Sequence, residues 1–149
     1  MLTALAVVIA QACWLEATYR TEDCAAIAHV ILKRAASARV EPAVMAYAYS
    51  LNKPTPRAAQ ARALPAGLPA RELPRWQALV RIAQGALEGR ISNPCPRARH
   101  WGSPVLAPDV ERAGRAIRQN RWVVVVCTRR TANTFYAHAA KRELRRRRT

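Results

Sequence analysis

The chain has 149 residues, 51% of them apolar, which is enough for one domain with a core of its own and excludes disorder. Lys and Arg number 25 against nine Asp and Glu, a net charge of +16, and only Lys33, Lys53 and Lys141 among the cations are not Arg. Such a surface attracts polyanions, a demand that nucleic acid, lipopolysaccharide, anionic membrane and bacterial wall all meet. Any carboxylate chemistry must draw on Glu16, Glu22, Asp23, Glu41, Glu72, Glu88, Asp109, Glu111 and Glu143. The four cysteines, Cys13, Cys24, Cys95 and Cys127, lack the C-x-x-C spacing of zinc sites, so no metal or other cofactor is expected. One or two disulfide bridges stay open, and they suit a workplace outside the cytoplasm.

Residues 2–15 are apolar on every side except at Thr3 and Gln11, the pattern of a helix surrounded by protein. No Lys or Arg precedes Arg20, and the apolar stretch continues through Trp14 and Leu15. The segment therefore reads as a buried helix and not as a signal peptide, although Ala10-Gln11-Ala12 before Cys13 imitates a cleavage site. The expectation is a protein made in the cytoplasm without a cleavable signal peptide and without a membrane span.

That first helix delivers Glu16 at its end. Burial disfavours a charged carboxylate and raises its pKa, the condition a general acid needs near neutral pH. The structural alternative is a helix-end Glu paired with Arg20 or Arg34. Thr21 reads as the N-cap of a second helix over 22–36, with Glu22 and Asp23 favouring its positive end; helix stabilisation is their better-motivated role, and a second catalytic acid the alternative. Glu41-Pro42 opens a third helix, ending near Asn52. Five prolines between Pro54 and Pro74 predict mostly irregular loop with a short helical turn over 57–64.

A fourth helix is predicted over 74–88, stopped by Gly89, with Trp76 in the core like Trp14. A long ordered loop over 91–108 precedes a fifth helix over 109–118. The single predicted strand is 122–127, where Val123 to Val126 are consecutively β-branched. The fold class is thus mainly α with a small β element near 122–128, an α+β domain over 1–140 followed by an Arg-rich tail over 141–149. The tail carries six cations and one acid, suited to phosphate contact.

Leu5 to Ala35, LAVVIAQACWLEATYRTEDCAAIAHVILKRA, resembles the opening of the SleB-like cell wall hydrolases: an apolar helix, an E-A pair (Glu16-Ala17), a polar turn, and a helix ending Val30-Ile31-Leu32-Lys33-Arg34. A second block resembles the C-terminal part of bacterial and phage members, with Asn93-Pro94-Cys95-Pro96, His100-Trp101-Gly102, Cys127-Thr128 and Thr131 to Tyr136. The chain departs from the family in the longer turn Thr18 to Asp23 and in Lys33, where the family has Asn. The resemblance implies a lysozyme-like fold whose buried N-terminal helix presents a catalytic Glu, here Glu16, to a groove for the glycan strand of peptidoglycan. It implies cleavage of the bond between N-acetylmuramic acid and N-acetylglucosamine, by a lytic transglycosylase or a lysozyme-type muramidase, as in a phage endolysin acting on the host periplasmic wall.

Sugars are held by aromatic faces and by amide or hydroxyl groups, so Tyr19, His100, Trp101, Asn133 and Tyr136 are the substrate-binding candidates. His29, His100, Trp101, Phe135 and Asn133 each also have a purely structural reading. Cys95 and Cys127 bracket the second block; a bridge there closes a loop of about 30 residues, worth roughly 3 to 4 kcal/mol in the chain-entropy model, and reduced thiols are the alternative. Within this reading the tail promotes adsorption to lipopolysaccharide or anionic wall polymer. The reading from another class is a basic structural protein that binds nucleic acid or another polyanion, and it gives Glu16 no chemical role.

Overall fold

Helix α1, Ala4–Glu16, carries no charge before its last residue. Its start is set by Thr3, whose hydroxyl accepts from the Ala6 N–H at 3.1 Å while the Thr3 N–H donates to Gln84 at 2.9 Å. Ala6, Ile9, Ala10, Ala12 and Cys13 are fully buried, because four helices pack around this one. These are α2, Asp23–Ala38; α3, Pro42–Ala46; α4, Pro56–Ala63; and α5, Leu73–Leu87. The structure, a computed structural model, describes residues 2–140; the Arg-rich tail read at 141–149 lies outside the described residues.

The C-terminal carbonyls of α1 need partners, as at any helix end. Arg75, from the first turn of α5, donates to the carbonyls of Trp14 and Ala17 at 3.0 and 3.1 Å. A disulfide between Cys13 and Cys24 ties the same end to the start of α2. Glu16 is thereby presented from a helix end held by a covalent bridge and a guanidinium.

Several elements differ from the sequence reading. The N-cap of α2 is Glu22 and not Thr21, and it makes no side-chain cap bond. The third helix is α-helical only to Ala46; Tyr47–Leu51 then widens into a π turn, closed by Asn52 N–H donating to the Tyr47 carbonyl at 2.9 Å. The proline-rich stretch is more regular than expected. Thr55 caps α4 through the Ala58 N–H at 3.1 Å, and Pro56 sits in the first turn, where its missing N–H costs nothing. At the end of α5, Gly89 adopts φ 72°, the left-handed conformation that favours glycine.

About 55% of the described residues are helical, and the remaining regular structure among them is a three-stranded antiparallel sheet, so the fold is α+β. Strands β1, His100–Gly102; β2, Trp122–Val124; and β3, Thr134–His138 lie in the order β1-β3-β2. The predicted strand over 122–127 is cut short. Val125 still donates to the Phe135 carbonyl at 2.8 Å, but Cys127 is bonded to Cys95 and Thr128 donates to the Pro94 carbonyl at 2.8 Å. These anchors draw the chain off the sheet and leave Val126 94% exposed. Helix α6, Ala107–Arg118, covers the sheet over a small second core of Ala113, Ala116, Trp122 and Tyr136. Among the described residues, no helix is long and apolar enough to cross a membrane.

Candidate active site

Glu16 lies where α1 meets the sheet. Its side chain is 17% exposed, and its immediate partners are polar. Lys53, just after the π turn, places its ammonium 3.1 Å from Oε1, and the Trp101 indole donates to Oε2 at 3.3 Å. The cation beside Glu16 is thus Lys53, where the sequence reading named Arg20 or Arg34 as the alternative. Asn133 donates its amide Nδ2 to the Glu16 backbone carbonyl at 2.9 Å, which fixes the last turn of the helix.

Asn133 is held in turn by Asp23. The Asp23 carboxylate is 1% exposed and accepts the N–H of Asn133 at 2.7 Å and of Ala132 at 3.0 Å. Burial raises the Asp23 pKa, against the opposing pull of those two backbone N–H groups and of Arg20. Its role is a clasp between α2 and the loop before β3. Asp23, Asn133 and Glu16 form one connected chain, in which only Glu16 retains an exposed carboxylate; Glu22 points elsewhere, 3.9 Å from Arg20.

Beyond Trp101 a row of rings continues. Tyr49 packs on Trp101 at 4.5 Å between centroids, and the Arg34 guanidinium covers its ring at 4.4 Å. The Tyr49 hydroxyl, whose pKa burial pushes up, and Arg34 Nη1 both lie 3.0 Å from His100 Nδ1. Arg34 only donates, so His100 Nδ1 accepts. The His100 proton therefore sits on Nε2, which faces His138 Nε2 at 2.9 Å. Burial, followed by the charges of Arg34, His138, Arg112 and Arg121, holds the His100 pKa down at about 3. His100 is a neutral hydrogen-bonding ring at ordinary pH, not an acid or a base.

The five binding candidates separate. Trp101 and Asn133 meet Glu16, but both are buried and act as its supports, so Trp101 offers no open face to a sugar. His100 joins through Tyr49. Tyr136 pairs with His100 across β1 and β3, and its ring is buried against Trp122 at 5.2 Å between centroids. Tyr19 is 66% exposed in the turn after α1, apart from the ring row but open to solvent. Sequence reasoning missed Lys53, Tyr49 and His138, whose contacts to the site carry no local signal. Among the described residues, no group of three or more His, Cys, Asp or Glu side chains is placed to hold a metal ion.

In comparisons with known proteins, no protein-family model, no curated protein and no solved structure matches this chain.

Proposed function

We propose that the chain is a lysozyme-like glycosidase of peptidoglycan that cleaves the bond between N-acetylmuramic acid and N-acetylglucosamine, with Glu16 as its general acid. One observation carries this reading. A partly exposed carboxyl group stands at the end of a largely buried helix, oriented by an indole N–H and backed by Asn133, while the other acid of the cluster, Asp23, is consumed by backbone bonds. A helix buried at this cost in sequence freedom, ending in a restrained acid, suits proton delivery at a fixed point.

In this mechanism the Glu16 carboxylate parts from Lys53, takes up a proton from solvent and gives it to the glycosidic oxygen as the bond from that oxygen to the muramyl C1 breaks. The oxocarbenium-like charge at C1 is quenched by the sugar's own C6 hydroxyl or by water, and the released proton returns to Glu16. The clasped state of Asp23 favours the single-carboxylate route, in which the C6 hydroxyl attacks and a 1,6-anhydro end results. The two disulfides favour a site of action outside the cytoplasm, and an endolysin reaching the host periplasm fits them.

The test is Glu16→Gln, which preserves shape and removes only the transferable proton. Wall lysis should fall at least about 100-fold with an unchanged melting temperature. Retention of more than about a tenth of the activity overturns the assignment. Mass analysis of muropeptides released by the wild type should show 1,6-anhydro ends; reducing ends replace the transglycosylase route with hydrolysis. The reading as a basic structural protein predicts no lysis by either form.

A further inference from the structure

Three adjoining clefts, of about 520, 480 and 300 Å³, meet at His138, which lines all of them. Lys33, Arg34, Arg97, Arg99 and Arg121 contribute to their walls, and among the described residues no Asp or Glu does. The cations come from α2, from the segment leading into β1 and from the turn before β2, so the tertiary structure, not a run of sequence, assembles them.

Three of them are already restrained. Arg34 donates to the Arg99 carbonyl at 3.1 Å, Arg99 Nη1 donates to the Ser37 hydroxyl at 2.9 Å, and Lys33 donates to the Pro96 carbonyl. The entropy of fixing these long side chains is therefore largely spent before any ligand arrives. Their like charges are crowded: burial and the neighbouring Arg99 lower the Lys33 pKa. An anion entering the clefts relieves that repulsion. Arg forks match phosphate oxygens two at a time, and Ser37 adds a hydroxyl. Three contiguous clefts suit a ligand that carries more than one phosphate.

We propose that the clefts around His138 form a binding site for the phosphate groups of a phosphorylated envelope glycolipid. Only the source of the phosphate rests on the peptidoglycan reading; the phosphate chemistry stands on the clefts. The site adjoins Glu16 through consecutive residues of β1, since His100 lines a cleft while Trp101 holds the Glu16 carboxyl. Occupancy would therefore keep the envelope beside the glycan site.

The experiment uses the full chain, with its basic tail retained throughout. Tripolyphosphate is titrated calorimetrically into the wild type, into R97Q/R99Q/R121Q, and into R71Q/R81Q/R130Q, which removes the same three charges from exposed positions outside these clefts. The cleft variant should bind at least about tenfold more weakly, and the control within about threefold of the wild type. Equal losses in both variants, or no loss in the cleft variant, overturn the site. R97Q/R121Q, which leaves the Arg99–Ser37 bond intact, should show an intermediate loss and an unchanged melting temperature; a wild-type affinity there assigns the loss to misfolding and likewise overturns the site. In a second arm, lipopolysaccharide and a short DNA duplex replace tripolyphosphate. Loss confined to lipopolysaccharide supports the envelope source, whereas loss confined to the duplex, or equal for both, overturns it. Glu16→Gln should bind like the wild type, so failure of the catalytic reading and failure of this site are told apart.

Discussion

Trp101 and Glu16 stand 85 residues apart in the chain and meet through one hydrogen bond, from indole Nε1 to carboxyl Oε2 at 3.3 Å. The bond orients the carboxyl from the buried side and leaves its other oxygen toward Lys53. Trp101→Phe keeps most of the ring's packing and deletes the donor. Glycan cleavage should fall about tenfold, the worth of one hydrogen bond to a charged group, with a stability loss of roughly 1 to 3 kcal/mol. Rates on soluble fragments beside a denaturant melt measure both; an unchanged rate removes Trp101 from the site.

Lys53 is half exposed, and an ion pair of that kind contributes little to stability. In the proposed reaction it must also move aside. Lys53→Gln should therefore change stability by no more than about 1 kcal/mol and leave fragment cleavage within about threefold of the wild type. A loss comparable to that of Glu16→Gln makes the ammonium part of the reacting machinery.

Asp23→Asn keeps one oxygen that can accept from both the Asn133 and Ala132 N–H groups but replaces the second oxygen, 3.3 Å from the Ala132 nitrogen, by an NH2 facing that donor. The cost should be about 1 to 3 kcal/mol, read as a lower denaturation midpoint. Activity measured well below the melting temperature should fall much less than in Glu16→Gln. Equal losses in a folded Asp23→Asn protein restore a second catalytic carboxylate.

His100 ties stability to pH. Its pKa is about 3 in the folded protein against an ordinary 6.5, so the unfolded chain binds a proton that the folded one refuses. The contribution is complete above about pH 6.5 and is lost as pH falls toward about 3. Relative to His100→Gln, the folding equilibrium of the wild type should weaken by up to about tenfold per pH unit across that window, less where solvent screens the partly exposed ring. Asp23 works in the opposite sense, because a raised carboxyl pKa favours the folded state at low pH; the comparison with the variant cancels it. Parallel curves for the two proteins show that His100 does not carry the dependence.

The bridge between Cys95 and Cys127 closes a 32-residue span and pulls the chain off β2. Replacing both with Ala should lower stability by roughly 3 to 4 kcal/mol and free Val125 to Cys127 from their anchor. Unfolding midpoints measure the first effect, and faster amide exchange at Thr128, whose N–H bonds the Pro94 carbonyl, measures the second.

By itself the sequence determined what depends on neighbours a few residues apart. The run over 2–15, apolar except at Thr3 and Gln11, reads as a helix surrounded by protein, and that made α1 and the position of Glu16 legible; helical spacing of Trp76, Leu79 and Ala83 did the same for α5. β1 and β3 were not legible. Three or five residues without alternation carry no periodic signal, and they are strands because each finds the other across more than 30 residues. The surroundings of Glu16 were decided in the same way. Lys53, Trp101 and Asn133 reach it from 37, 85 and 117 residues away, and Asp23 holds Asn133 across 110. Such contacts are set by how helices and sheet close on one another, since a hydrogen bond between distant residues leaves no trace in the local pattern of either.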